Sequence, residues 1–317
     1  MTHVPVLLQE TIEALAVKAG GTYVDGTLGR AGHAREILRR GAACVIGIDR
    51  DQTALDEVAA MSVDGSAEKP AGKLILKKGC HGDLAKIVRG DGIGEVDGIL
   101  LDLGVSSPQL DDAGRGFSFR ADGPLDMRMD RSRRLTAAEI VNSRTVEELT
   151  DILRAYGEEP AARRIAQAIV RLRAQARIET TSQLAELVER TVGRHGAHHP
   201  ATRTFQALRM AVNDELGELE RALSGGLELL RPGGRFAVIS FESLTDRIVK
   251  KFFSAHAGKM VSLQQGGERW EGTPPRVRIV TRRAVTATES ETASNPRSRS
   301  ARLRAAEKEV RETCAET

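Results

Sequence analysis

Asp25, Asp49 and Asp102 each close a short apolar run, a place where an acidic side chain is available for chemistry. The first lies in Tyr23-Val-Asp-Gly-Thr-Leu-Gly-Arg-Ala-Gly-His33, where Gly26, Gly29 and Gly32 recur at regular spacing before a helix-like run. Glycine has no Cβ, so the backbone can turn sharply and lie against a ligand. A helix that follows aims free N–H groups into the turn. About 20 residues on, Val45-Ile-Gly-Ile48 ends in Asp49, an acceptor suited to ribose hydroxyls. Asp97-Gly-Ile-Leu-Leu-Asp-Leu-Gly-Val-Ser-Ser-Pro-Gln109 delivers Asp102 and then a polar turn, and ligands of parallel sheets bind beyond the carboxyl ends of the strands. This outlines a nucleotide-cofactor pocket. Glycine spacing alone leaves a dinucleotide and S-adenosylmethionine both open. Asp25 favours the second, because a carboxylate suits a cationic amino-acid group and repels a pyrophosphate.

Groups placed in this way need parallel strands joined by helices. Tyr23–Asp25, Val45–Asp49, Leu74–Leu76 and Gly98–Leu103 read as short buried strands, with helical spacing in His33–Arg40, Gln52–Met61 and Asp83–Val88 between them. That alternation predicts an α/β fold with a mainly parallel sheet. Pro108 to Arg134 is rich in Gly, Asp and Arg, and Thr136 to about Val192 reads as all-helical, with helix starts at Thr145-Val-Glu-Glu148 and Thr181-Ser-Gln-Leu184. Thr202 to about Leu230 reads as one long amphipathic run stopped by Arg231-Pro-Gly-Gly234. Strand character returns in Arg235–Phe241 and Val277–Thr281. The pattern is a helical insertion splitting an α/β domain: 1–107 with 215–317 for the sheet, and 108–214 for the insertion, where substrate-reading parts often sit. Ala284–Asn295, rich in Ser, Thr and Glu, reads as a flexible connection. In the basic stretch after it, Ala301, Leu303 and Ala305 alternate as in a last strand.

The 317 residues are 40% hydrophobic and 29% charged, a globular composition with room for a large core. No apolar run nears the ~20 residues needed to span a bilayer, and Gln9, Glu10 and Glu13 do not fit a secretory signal. Cys44, Cys80 and Cys314 form no disulfide framework, which fits a reducing cytoplasm. With a net charge of only +3, affinity for nucleic acid must come from local patches.

The motifs at 23–33 and 98–111 resemble those of the ribosomal RNA small subunit methyltransferase H family. So do Arg-Gly-Phe-Ser-Phe (115–119), Asp-Gly-Pro-Leu-Asp-Met-Arg-Met-Asp (122–130), Tyr-Gly-Glu-Glu (156–159), His-Pro-Ala-Thr-Arg-Thr-Phe-Gln-Ala (199–207), Asp-Arg-Ile-Val-Lys (246–250) and Asn-Pro-Arg-Ser-Arg-Ser (295–300). The matches run in order from about His3 to Glu307. The resemblance implies a Rossmann-like, seven-stranded class I methyltransferase sheet with an inserted helical domain. It also implies a cytoplasmic enzyme that uses S-adenosylmethionine, without a metal, to methylate the exocyclic N4 of a P-site cytidine in 16S rRNA. The implied partner is that rRNA in the assembled small ribosomal subunit, and a homodimer is allowed. By motif, cofactor contacts fall on Asp25, Gly29, Ala31, Gly32, His33, Asp49, His81, Asp102 and Gln109. Three positions depart from the family pattern. Ala31 stands for a glycine, tolerable if its φ stays negative; His81 stands where phenylalanine is common; Glu242 replaces a histidine whose role therefore does not carry over.

Methyl transfer from a sulfonium is an in-line displacement that holds the acceptor ~3–3.5 Å from the methyl carbon. A cytosine N4 lone pair is delocalised, so acceptors aimed at its protons favour the transition state. No cysteine lies by the catalytic turn, as methylation at carbon 5 would want. Asp102 with Ser106 or Ser107 is the expected acceptor set. Phe117 and Phe119 are candidates to stack the base, or else loop anchors. Arg128 between Asp126 and Asp130 reads as a fixed ion-pair cluster, or else as a group for base recognition or for proton removal after transfer. His198-His199-Pro200 has no matching metal set and reads as cap or RNA contact. Arg163, Arg164, Arg171 and Arg173, Arg203 and Arg209, and the tail cluster Arg297, Arg299, Arg302 and Arg304 are candidate phosphate contacts. The competing classes are a non-catalytic RNA-binding assembly factor on the same fold and a nicotinamide-dependent oxidoreductase.

Overall fold

The computed structural model describes residues 5–63, 72–194, 199–262, 268–271 and 274–310. The strands are β1 (Thr22–Asp25), β2 (Cys44–Asp49), β3 (Lys73–Lys78), β4 (Val96–Asp102), β5 (Leu230–Ser240), β6 (Lys259–Ser262), β7 (Glu268–Glu271), β8 (Val277–Ile279), β9 (Val285–Thr286) and β10 (Arg302–Lys308). The main sheet has the order β3-β2-β1-β4-β5-β10-β8, with β9 beside β10, while β6 and β7 pair with each other. From β3 to β5 the pairing is parallel; β10 runs antiparallel to β5, β8 and β9. The fold is thus the α/β sheet of class I methyltransferases, with an inserted helical segment.

Alternation along each strand sends neighbouring residues to opposite faces. Tyr23, Val45, Leu100, Ala237 and Ile239 enter one buried cluster, and Val24, Ile46, Ile99, Leu101 and Val238 enter the other. Both faces are covered, which is why the parallel strands read as near-continuous apolar runs. The helices of this part are α1 (Leu8–Leu15), α2 (Gly32–Arg39), α3 (Gln52–Val63) and α4 (Leu84–Gly90). No helix among the described residues is long and apolar enough to cross a membrane.

Then follow α5 (Ser107–Asp111), α6 (Ala137–Ser143), α7 (Val146–Gly157), α8 (Ala162–Arg173), α9 (Thr181–Val192), α10 (Thr202–Asn213), α11 (Glu215–Leu229), α12 (Ser243–His256) and α13 (Glu289–Ser294). The chain divides into two compact units, 1–104 with 217–317, and 105–216. The helical unit has its own core, in which Ile140, Leu149, Leu153, Ile165, Ile169, Leu184, Phe205 and Leu208 are buried. Its helix starts are firmly capped: Thr136 with Glu139, Thr145 with Glu148 and Thr180 with Gln183 each form a reciprocal capping box.

Three expectations are corrected. The amphipathic run from Thr202 is two helices, because Asp214 takes a left-handed conformation (φ 51°) that ends α10. The stretch from Ala284 to Asn295 is ordered, not a free connection. It forms β9 and α13, Thr288 caps α13, and Glu291 accepts the Leu7 N–H at 2.8 Å. Strand β5 also starts earlier than Arg235, absorbing Pro-Gly-Gly in a register shift against β4.

Candidate active site

The carboxyl ends of β1, β2 and β4 stand side by side, since Asp25 lies level with Gly47 of β2 and Leu100 of β4. The turn after β1 is stitched to all three strands. Gly26 N–H donates to the Leu100 carbonyl (2.9 Å) and Leu28 N–H to the Ile48 carbonyl (3.0 Å). Thr27 N–H donates to Asp25 Oδ1 (3.2 Å), and its Oγ1 accepts the Asp102 N–H (2.6 Å). Gly29 N–H donates to Asp49 Oδ2 (2.8 Å), whose Oδ1 accepts Asp51 N–H (2.8 Å). Each carboxylate oxygen has two acceptor sites, so Asp49 retains capacity for hydroxyl donors. Thr27 and Asp51 had not been singled out from sequence; a threonine just after Asp-Gly in such a turn was the available signal.

The glycines are there for room and for backbone shape. A Cβ on Gly26 would stand 2.6 Å from Leu101 Cδ2, and one on Gly32 would overlap Pro5. Gly29 has φ 50°. Ala31 is the exception: its φ is 61°, not negative, and its methyl is fully buried. An L-residue in this region costs roughly 1–2 kcal/mol, so the turn tolerates the alanine under strain rather than avoiding it.

Burial pushes the Asp25 carboxyl up to about 7. It does the same to Asp102, also to about 7, with repulsion from Asp25 adding to it. Burial raises Asp49 as well. Asp102 keeps 26% of its side-chain surface open, yet its Oδ1 is sealed and has no hydrogen-bond partner. On its other side, Asp102 Oδ2 lies 3.8 Å from His33 Nδ1. A carbonyl only accepts, so His33 Nε2–H donates to Val6 O (3.1 Å).

His81 follows β3 in a short 3-10 turn and packs its Cβ 3.4 Å from where a Gly26 Cβ would stand. Arg50 only donates, so His81 Nδ1 accepts from it (3.4 Å) and the ring proton sits on Nε2. Burial and then the charge of Arg50 push His81 down to about 3, and Nε2 has no partner. The turn is fixed by Glu218, a buried residue that sequence reading missed: Gly82 N–H donates to its Oε2 at 2.9 Å. Nothing in the sequence signals a contact spanning so many residues.

In the helical unit, Ser106 caps α5. Its Oγ accepts from Gln109 N–H (3.4 Å), its N–H donates to Gln109 Oε1 (3.1 Å), and its carbonyl accepts Leu110 N–H (3.2 Å). Ser106 and Gln109 therefore hold each other, while the Ser107 hydroxyl makes no hydrogen bond among the described residues. Phe117 is buried in the helical core under Arg115. Phe119 packs against His199 (4.6 Å between centroids) and Phe205 (4.8 Å). Both phenylalanines are loop anchors in this structure. Arg128 gives Nε and Nη2 to Asp126 and Nη1 to the carbonyls of Arg131 and Arg133, the ion-pair cluster. Arg164, Arg173 and Arg203 donate to the carbonyls of Thr191, Val141 and Glu158, and Arg209 is paired with Glu215. Arg163, Arg171, Arg297 and Arg299 are exposed. His199 accepts Ala201 N–H and faces Glu189 at 3.4 Å; His198 and Cys314 lie outside the described residues. Among the described residues no three His, Cys, Asp or Glu side chains gather as a metal set.

The profile of the MraW methylase family matches residues 1–309. The chain belongs to that family. Its relatives agree with this over nearly their full lengths. A ribosomal RNA small subunit methyltransferase H from Symbiobacterium thermophilum is 50% identical, covering 96% of this chain and 95% of that protein. The proteins of the same name from Methylobacterium nodulans and Rhodospirillum rubrum are 51% and 49% identical, each covering 96% of this chain and 90% and 94% of theirs. A solved rRNA methylase from Streptococcus thermophilus covers 98% of this chain and all of its own at 11% identity and TM-score 0.43, too remote to bear on the site. What the structure itself adds is three carboxylates, Asp25, Asp49 and Asp102, at the adjacent ends of β1, β2 and β4.

Proposed function

We propose that this protein methylates the exocyclic N4 of a P-site cytidine in 16S rRNA, in the assembled small subunit, with S-adenosylmethionine as donor. One observation carries the reading: three adjacent parallel strands each end in a carboxylate around one glycine turn, a pocket made for a cationic donor. The same charges weigh against a dinucleotide, whose pyrophosphate they would repel.

The residues present fit that donor. Asp25 is placed for its ammonium and Asp49 for its ribose hydroxyls. Asp102 Oδ1 is a buried acceptor still without a partner, and His81 Nε2–H a buried donor in the same position. Bound there, the donor supplies an electrophilic methyl on a positive sulfur. The chain's own work is to align the acceptor and exclude water. Asp102, at the rim where β4 ends, accepts a hydrogen bond from N4–H and so lends the nitrogen lone-pair character. Of the two candidate serines, Ser107 keeps its hydroxyl uncommitted among the described residues, whereas Ser106 is spent on its own helix cap. No covalent bond to the enzyme is needed.

The test is the nucleotide inventory of rRNA. Small subunits from a strain lacking this gene should lack methyl at one cytidine N4, and purified protein plus S-adenosylmethionine should restore it. An unchanged inventory in the deletion strain sinks the reading and leaves a non-catalytic assembly role. Activity on subunits would also place the protein in the cytoplasm, and sedimentation would report whether two copies associate.

A further inference from the structure

The sheet register brings a basic cluster to the same edge as the acidic pocket. Asp102 lies level with Ile239 of β5, and Ile239 with Leu303 of β10. Since β10 runs antiparallel, its first residue, Arg302, sits at the carboxyl edge of the parallel strands, opposite Ser240. Two strand spacings place it roughly 10 Å from Asp102, backbone to backbone. The 3-10 turn just before it, Pro296–Ser300, is anchored by the buried Ser298, which leaves Arg297 and Arg299 outside.

One carboxylate serves two guanidinium groups here. Asp246, buried on the first turn of α12, accepts from Arg304 Nε (2.6 Å) and Nη2 (2.9 Å), one bond to each of its oxygens. Arg304 is 13% exposed and holds both oxygens of that carboxylate. Arg302 reaches the same carboxylate with Nη1 alone, at 3.4 Å, and is 47% exposed. A half-exposed pair of that kind contributes little to stability. It does aim the guanidinium, while leaving the remaining N–H groups of its fork for an anion. Arg299 has no ion pair among the described residues.

An RNA strand that delivers a base to Asp102 brings its own phosphates to a rim lined with carboxylates, which repel it. A cation about one nucleotide's reach from the base offsets that repulsion. We propose that Arg302, with Arg299 beside it, grips the backbone phosphate next to the target nucleotide, and that Asp246 and Arg304 form its mount and do not touch RNA. The inference rests on the rRNA reading above.

The test uses small subunits from a strain lacking the enzyme. R302Q should weaken subunit binding about five- to twentyfold and lower the salt slope of log K by about one. KM for subunits should rise with little change in kcat, and R302K should recover part of the loss. Binding of S-adenosylhomocysteine and the melting temperature should stay near the parent's. Wild-type affinity and salt slope in R302Q would overturn the proposal; so would a loss of subunit binding that merely tracks a falling melting temperature. Failure of the wild-type protein itself to methylate subunits would remove the parent reading, a separate result.

Discussion

Asp25 and Asp102 are held near neutrality by burial, each with its carboxyl pushed up to about 7, and this has a sign that can be measured. In the unfolded chain an aspartate titrates near 3.9. Between there and about 7 the folded, ligand-free protein binds more protons than the unfolded one. The contribution of these two groups to stability is therefore full at low pH and lost as pH rises through 7. Melting temperature measured at pH 5 and pH 8 should show that loss, and Asp102→Asn should shrink it. A slope unchanged in Asp102→Asn would remove Asp102 from this account. A positive ligand reverses the penalty, so affinity for S-adenosylmethionine should rise between pH 6 and pH 8, and more than affinity for S-adenosylhomocysteine, which lacks the sulfonium. Calorimetry with both ligands decides it. Ala31→Gly tests the strained turn. Relief of roughly 1–2 kcal/mol of backbone strain meets loss of a buried methyl at ~0.8 kcal/mol. The melting temperature should thus stay within a few degrees of the parent's or rise slightly; a clear fall would mean that the methyl's packing outweighs the strain.

Among the elements, the parallel strands were legible because burial on both faces leaves apolar runs ended by Asp, Gly or Lys. In the inserted unit, helix starts were legible where a threonine precedes Glu or Gln by three residues, although Thr180, not Thr181, caps α9. The break between α10 and α11 was not, because it rests on Asp214 entering a left-handed conformation that its residue type permits but does not announce. The order of α13 was equally hidden, since its docking depends on Glu291 meeting the Leu7 N–H from the far end of the chain. Glu218 belongs with these: it ties α11 to the turn that carries His81. Glu218→Ala leaves the Gly82 N–H without its partner, at a cost of about 1–3 kcal/mol. It should lower both the melting temperature and the affinity for S-adenosylhomocysteine. Glu218→Gln keeps an acceptor and should restore most of both. Equal losses in the two variants would show that charge, not the hydrogen bond, sets the turn.

For the molecule as a whole, a net charge of +3 conceals a local arrangement of opposite signs. The carboxylates of β1, β2 and β4 and the guanidinium groups around β10 occupy one edge of one sheet. The first set could be read from the chain because each acid follows its own strand. The basic stretch and its strand could be read too, but not their place on this edge or the mount on Asp246, because Asp246 lies far from Arg302 in sequence and only the antiparallel return of β10 joins them. That return has a consequence for biosynthesis. Among the described residues β10 is an interior strand, flanked by β5 and β8, and β8 pairs with no other strand of the sheet. A nascent chain that has not yet released residues 302–308 therefore presents β5 as a bare, apolar edge, the kind that recruits foreign strands. A premature stop before Arg302 should yield insoluble protein and not merely an inactive one.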